Sequence, residues 1–188
     1  VQITVLSTEN VANLSTDQIA NLTSAQTASL STSQLRSLSS DQLNAFESSD
    51  LQALTTIQLR GLSTAQVSTL SSAQIQNLSS TQIASLNTSQ IRALTSDQLN
   101  AMESSDLQSL TATQVQSLTT DQISTLSTDK FGLLTSGQVR ALTSAQISSL
   151  STDQVPLLGS DQLAALTTTQ LQYFTSDQLN ALGSSYLQ

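Results

Sequence analysis

The sequence Leu14-Ser15-Thr16-Asp17-Gln18-Ile19-Ala20-Asn21 is followed at once by Leu22-Thr23-Ser24-Ala25-Gln26-Thr27-Ala28-Ser29, and a further copy follows every eight residues along the 188-residue chain. Leu, Phe or Met occupies every eighth position from Leu6 to Leu182, with Phe46, Met102 and Phe174 the only departures from Leu. A second apolar position recurs from Ile3 to Leu187 and fails only at Thr27. The residue before it is Gln in 19 of 24 octads, which is too regular for a surface filler. Nothing interrupts the phase, so residues 1–188 read as one continuous array with no linker or domain boundary, a fragment of a longer one.

The apolar spacing alternates three and five. A continuous α-helix would rotate its apolar stripe by roughly 80° per octad, and no partner helix could follow it. The period is neither the 3.5 of a coiled coil nor the 2 of a strand. One short helix per octad fits instead. Ser15 stands where an N-cap accepts a hydrogen bond from an unpaired helix N–H. Gln18, three residues on, is placed to return a bond to the Ser15 backbone and close a capping box. Leu14 before the cap and Ile19 after it form a hydrophobic staple. Asp17 faces the positive end of the helix dipole, as do Asp41, Asp97, Asp121, Asp129, Asp153, Asp161 and Asp177 in their own octads.

The expected fold is therefore all-α: a solenoid or superhelix of very short capped helices, each about six residues and roughly 9 Å long. Helices that short are unstable alone in water, so octads must stack and fold cooperatively. A β-solenoid is the alternative. Its tight corners need residues that accept positive φ, and five Gly at no fixed repeat position argue against it. Pro156 and Gly132 fall where a helix should continue, and a single turn of α- or 3₁₀-helix would tolerate both. Asp41–Gln52 is echoed by Asp97–Gln108, 56 residues later, and more loosely by Asp177–Gln188, a further 80 on. Those unequal offsets read as duplication history, not a second structural period.

Composition removes several functions. Net charge is −8 with five basic residues, so no basic footprint exists for nucleic acid. No run of about 18 apolar residues is present, so membrane insertion is not expected. No signal peptide is visible. Cysteine is absent, which excludes disulfides without fixing a compartment. An acidic, Cys-free, Lys-poor chain would suit secretion through a narrow bacterial channel. Without His or Cys there is no Ser–His or Cys–His nucleophile and no imidazole or thiolate metal site.

What remains has a plain reading beside each functional one. Asp41, Glu47 and Asp50, echoed by Asp97, Glu103 and Asp106, could hold Ca²⁺ through oxygen ligands. They read better as solvated helix starts, with Glu and Asp as paired variants of the cap. Arg36, Arg60, Arg92 and Arg140 share one repeat position and could form part of a docking face; solvated outer side chains are the simpler reading. The aligned Ser/Thr pairs could carry O-glycans or bind ice, but capping explains them. Of Tyr173, Phe174 and Tyr186, Phe174 reads as core and the tyrosines as packing beside it. No catalytic, cofactor-binding or metal residue is assigned, and no cofactor is expected.

The octad Leu-[Ser/Thr]-x-x-Gln-[Ile/Val/Leu]-x-x resembles the L-T-x-x-Q-I-x-x arrays of some very large bacterial surface or secreted proteins of adhesin-like type. That resemblance covers the whole chain. It implies an extended extracellular or cell-surface stalk or spacer with no catalytic residues. The departures at Thr27, Lys130, Pro156 and Tyr186 bear on uniformity, not on class. A protein- or glycan-binding solenoid module, or a filament assembling through its array ends, is the alternative role. Far-UV circular dichroism on the isolated chain should show predominant helix; a β-type spectrum would overturn the helical solenoid.

Overall fold

The computed structural model describes residues 3–183. Tyr186 and Leu187 lie outside that range. The described chain is all-helical, with 21 α-helices of four to seven residues, two 3₁₀-helices at Ile3–Val5 and Val155–Leu157, and no strand. It is an all-α solenoid of one short helix per octad. Contacts cluster into two compact units, Val1–Met102 and Glu103–Gln188.

Each helix begins as its sequence dictates. Ser63 sits at φ −70°, ψ 159°, its hydroxyl accepts the Gln66 N–H at 3.2 Å, and Gln66 Oε1 accepts the Ser63 N–H at 3.0 Å. The same reciprocal box closes at Ser15–Gln18, Ser31–Gln34, Thr55–Gln58, Thr111–Gln114 and Thr175–Gln178, among others. Many of the helices end by entering extended backbone at the next Leu or Met. Leu62, for instance, has φ −63°, ψ 144°, and its N–H bonds back to the Leu59 carbonyl at 3.1 Å. Two successive extended residues, the Leu and the N-cap, thus turn the chain sharply between helices. Among the described residues no non-Gly residue has positive φ, which is why the corners do not need glycine.

Within the first unit the helix Thr8–Ala12 packs on Thr32–Ser37, which packs on Thr56–Gly61; Thr64–Thr69 packs on Thr88–Ala93. In the second unit Ala112–Ser117 packs on Ser136–Ala141, and that helix on Ser160–Ala165. Packing therefore joins helices three octads apart, while side-chain hydrogen bonds between turns span 25 to 31 residues. The glutamine bonds among these reach back 28 and 31 residues.

Both apolar columns point inward. The second site is sealed from Ile3 to Val155 (Leu35, Leu43, Ile75, Ile91, Val139 and Ile147 among them), whereas Leu163 is half-buried and Leu171 and Leu179 are exposed; the Leu column is buried beside it from Leu30 onward. Phe131 fills the core where Lys130 replaces Gln; Ser127 still caps there, accepting the Lys130 N–H at 3.4 Å. Pro156 converts its octad into a turn followed by the 3₁₀-helix Val155–Leu157, yet the Ser151–Gln154 box stays closed at 2.9 and 3.1 Å. The disturbance is local because one octad contains only one helical turn to break.

Among the described residues, Thr27 is the core's one unsatisfied polar side chain. It is fully buried in the aliphatic column, and its hydroxyl has no hydrogen-bond partner. An unsatisfied buried hydroxyl costs about 1–3 kcal/mol. Thr27→Val keeps the shape and removes the polar atom, so it should raise stability by about 1 kcal/mol or more, read as a higher urea midpoint at unchanged m-value. A neutral or destabilising effect would mean the hydroxyl is satisfied in solution.

Candidate functional site

The most ordered polar groups of the chain are the repeat glutamines. Gln66 Oε1 accepts the N-cap N–H of its own helix, while its Nε2 donates to the carbonyls of Leu35 at 2.9 Å and Leu38 at 2.9 Å, one turn earlier. Gln82 does the same to Leu51 and Leu54, Gln90 to Leu59 and Leu62, and Gln98 to Val67 and Leu70. In the second unit Gln138 reaches Leu107 and Leu110, Gln154 reaches Ile123 and Leu126, and Gln178 reaches Ile147 and Leu150. These acceptors lie at a helix C-terminus, and the first of each pair, such as Leu35, also takes the N–H three residues on. One side chain therefore caps the start of its own helix and the end of another. The cross-turn half of this role is invisible in a single octad. Gln18, with no described turn before it, is exposed, whereas Gln34 is buried.

The acidic candidates separate on folding. Asp41 and Asp97 are exposed at helix starts, as read from the sequence. Glu47 is exposed and makes no side-chain cap, but Asp50 is buried in the place of a Gln. An ionised carboxylate cannot donate. The bond between turns is accordingly reversed: Ser24 Oγ donates to Asp50 Oδ1 at 2.9 Å, and Asp50 Oδ2 accepts the Glu47 N–H at 3.2 Å. Asp106 is likewise buried and Glu103 exposed. Among the described residues no group of three or more His, Cys, Asp or Glu is assembled to hold a metal. No described helix is long and apolar enough to cross a membrane.

Arg36, Arg60, Arg92 and Arg140 are all exposed on the outside of the coil. Arg36 and Arg60 share a depression of about 470 Å³ in the first unit with Ile57, Gly61 and Asn87. Sequence reasoning had no means of joining residues three octads apart. The signal that was available is Ile57, the only Val, Ile or Leu before a Gln position between Glu9 and Asp177. In the second unit Gly159 replaces a capping residue, and a depression of about 460 Å³ opens beside it, Leu134 and Gln108. The N-cap hydroxyls accept helix N–H groups, as expected of capping residues. Phe174 is buried as expected; Tyr173 is 48% exposed, and its carbonyl accepts from Ser148 Oγ.

A coil of near-identical one-turn helices, with its constant polar residues used in capping, defines a helical solenoid repeat protein. A family model for the ALTTAQ repeat matches residues 1–32, 43–80, 73–102, 99–136 and 133–168, and the chain belongs to that repeat family. Ala141-Leu142-Thr143-Ser144-Ala145-Gln146 departs from the family's six-letter name at one residue. No curated protein matches the chain.

The two halves of the glutamine's role are separable by mutation. Ser63→Ala removes one cap acceptor and should cost about 0.5–2 kcal/mol. Gln66→Glu keeps the acceptor for the Ser63 N–H but turns a carboxylate toward two carbonyl oxygens, and should cost more, about 2–3 kcal/mol at neutral pH. A carboxyl held among carbonyls has its pKa raised on folding, so its protonated form, which can donate, is favoured and the loss should shrink as pH falls. Urea unfolding at several pH values checks both; a Gln66→Glu cost no larger than that of Ser63→Ala would mean the cross-turn bonds contribute little.

Proposed function

We propose that the chain is a structural segment, an extended stalk, spacer or scaffold within a large secreted or surface protein of bacterial origin, and that it is not an enzyme. The observation that carries this reading is where the near-constant residues go. Leu and Ile fill the core, Ser and Thr cap helix starts, and Gln joins one turn to the next. The residues that repetition preserves are those that let an array lengthen by adding turns, each supported by its neighbours. The absence of His and Cys, and the scatter of carboxylates over exposed and buried places, support a role without catalysis. The octad's resemblance to adhesin-type arrays supports the extracellular setting.

A spacer must gain length without changing width. Duplicating residues 39–94 in tandem inserts seven octads in phase, about two turns. Small-angle scattering should then show a particle longer by about 16–20 Å, at helix-stacking distances of about 8–10 Å per turn, with an unchanged cross-section. A particle that thickens, or an insert that unfolds, would overturn the spacer reading.

A further inference from the structure

The outer surface departs from the repeat pattern most clearly in octad 55–62 of the first unit. Ile57 stands where the other octads from Glu9 to Asp177 carry Asp, Glu, Ser, Thr, Ala or Gly, and it is 74% exposed. Three residues on, Arg60 adds a guanidinium, and Gly61 follows it. A Cβ at Gly61 would lie 3.0 Å from Thr32 Cγ2, so the glycine allows this helix to approach Thr32–Ser37 of the preceding turn closely. That approach sets Arg60 beside Arg36. Asn87, an N-cap from the following turn, completes the rim. Neither guanidinium has a hydrogen-bond or ionic partner. In a chain with thirteen acidic and five basic residues, two such cations meet around one exposed aliphatic side chain.

We propose that this depression docks a short carboxylate-bearing segment of a partner protein, with an aliphatic side chain against Ile57 and flanking Asp or Glu side chains on Arg36 and Arg60. Guanidinium groups match carboxylates in a planar, two-bonded geometry that lysine cannot reproduce. An apolar contact between two charges fits a peptide better than a sulfated sugar. A long polyanion would gain two cations here and meet a net charge of −8 around them, which opposes its approach. Charge complementarity and the exposed Ile57 thus select a short acidic–apolar segment. The site goes beyond a spacer role and does not depend on it.

The test is an unbiased one. A displayed library of random 12-residue peptides is panned on the full chain, and the selected peptides are synthesised and titrated by fluorescence anisotropy. The expected winners carry Asp or Glu around an aliphatic residue. Their affinity should fall at least about tenfold in R36Q/R60Q and in I57S, fall with added salt, and stay unchanged in R140Q. Circular dichroism of each variant confirms that the fold is kept. Three results would overturn the proposal: no enrichment of such peptides, equal affinity in R36Q/R60Q, or binding of a heparin oligosaccharide in their place. Sedimentation showing that the chain instead dimerises, and that R36Q/R60Q abolishes the dimer, would assign the depression to a second copy and also overturn it.

Discussion

The orientation of one primary amide governs this structure. A six-residue helix leaves nearly all of its backbone N–H and C=O groups without internal partners, so a chain of such helices has an unpaired polar group at almost every residue. Water can satisfy the outer ones, but those facing the core cannot be left open. The glutamine amide serves both deficits at once. Its oxygen takes the N–H at the start of its own helix, and its nitrogen gives to the carbonyls that end a helix one turn back. Few other side chains could substitute. Asparagine is shorter by one methylene, glutamate lacks the donor and lysine lacks the acceptor. Where Asp50 stands in, the direction of the bond between turns reverses, and Ser24 becomes the donor.

Pitch and register follow from that amide. Its nitrogen meets carbonyls 28 and 31 residues earlier, which places the glutamine under a corner of the turn before it. A single inserted or deleted residue would move the amides of the following turn away from their acceptors, while amides more than one turn further on would keep theirs. Unbroken phase therefore spares every turn such a break. The same amide bonds C-terminal carbonyls of the kind that a left-handed glycine often serves, and among the described residues positive φ occurs at Gly183, after the last helix.

Function has to be sought in what this frame leaves over. The invariant side chains are internal, so regularity signals construction and departure from it signals use. Thr27 departs inward and is an uncompensated hydroxyl. Pro156 and Lys130 depart and are absorbed within single octads. Ile57, Arg60 and Gly61 depart outward, next to Arg36, and bring exposed apolar surface and unpaired positive charge together in the first unit.

The sequence by itself determined the helices. Ser15, Gln18, Leu14 and Ile19 carry the start, the box and the staple within six residues, and interactions that local are fully written in an octad. It also determined which side chains form the core and that no His- or Cys-based site exists. Only the tertiary structure decided the number of octads per turn, because that number depends on how far a coil must travel before an amide meets a carbonyl it does not know in advance. With the turns stacked, Arg36 and Arg60 came to one depression and the buried Asp50 found Ser24. Each of these joins residues some 24 to 26 positions apart. An eight-residue pattern repeats too perfectly to say which copy lies above which, and only the stacking of one turn on another resolves it.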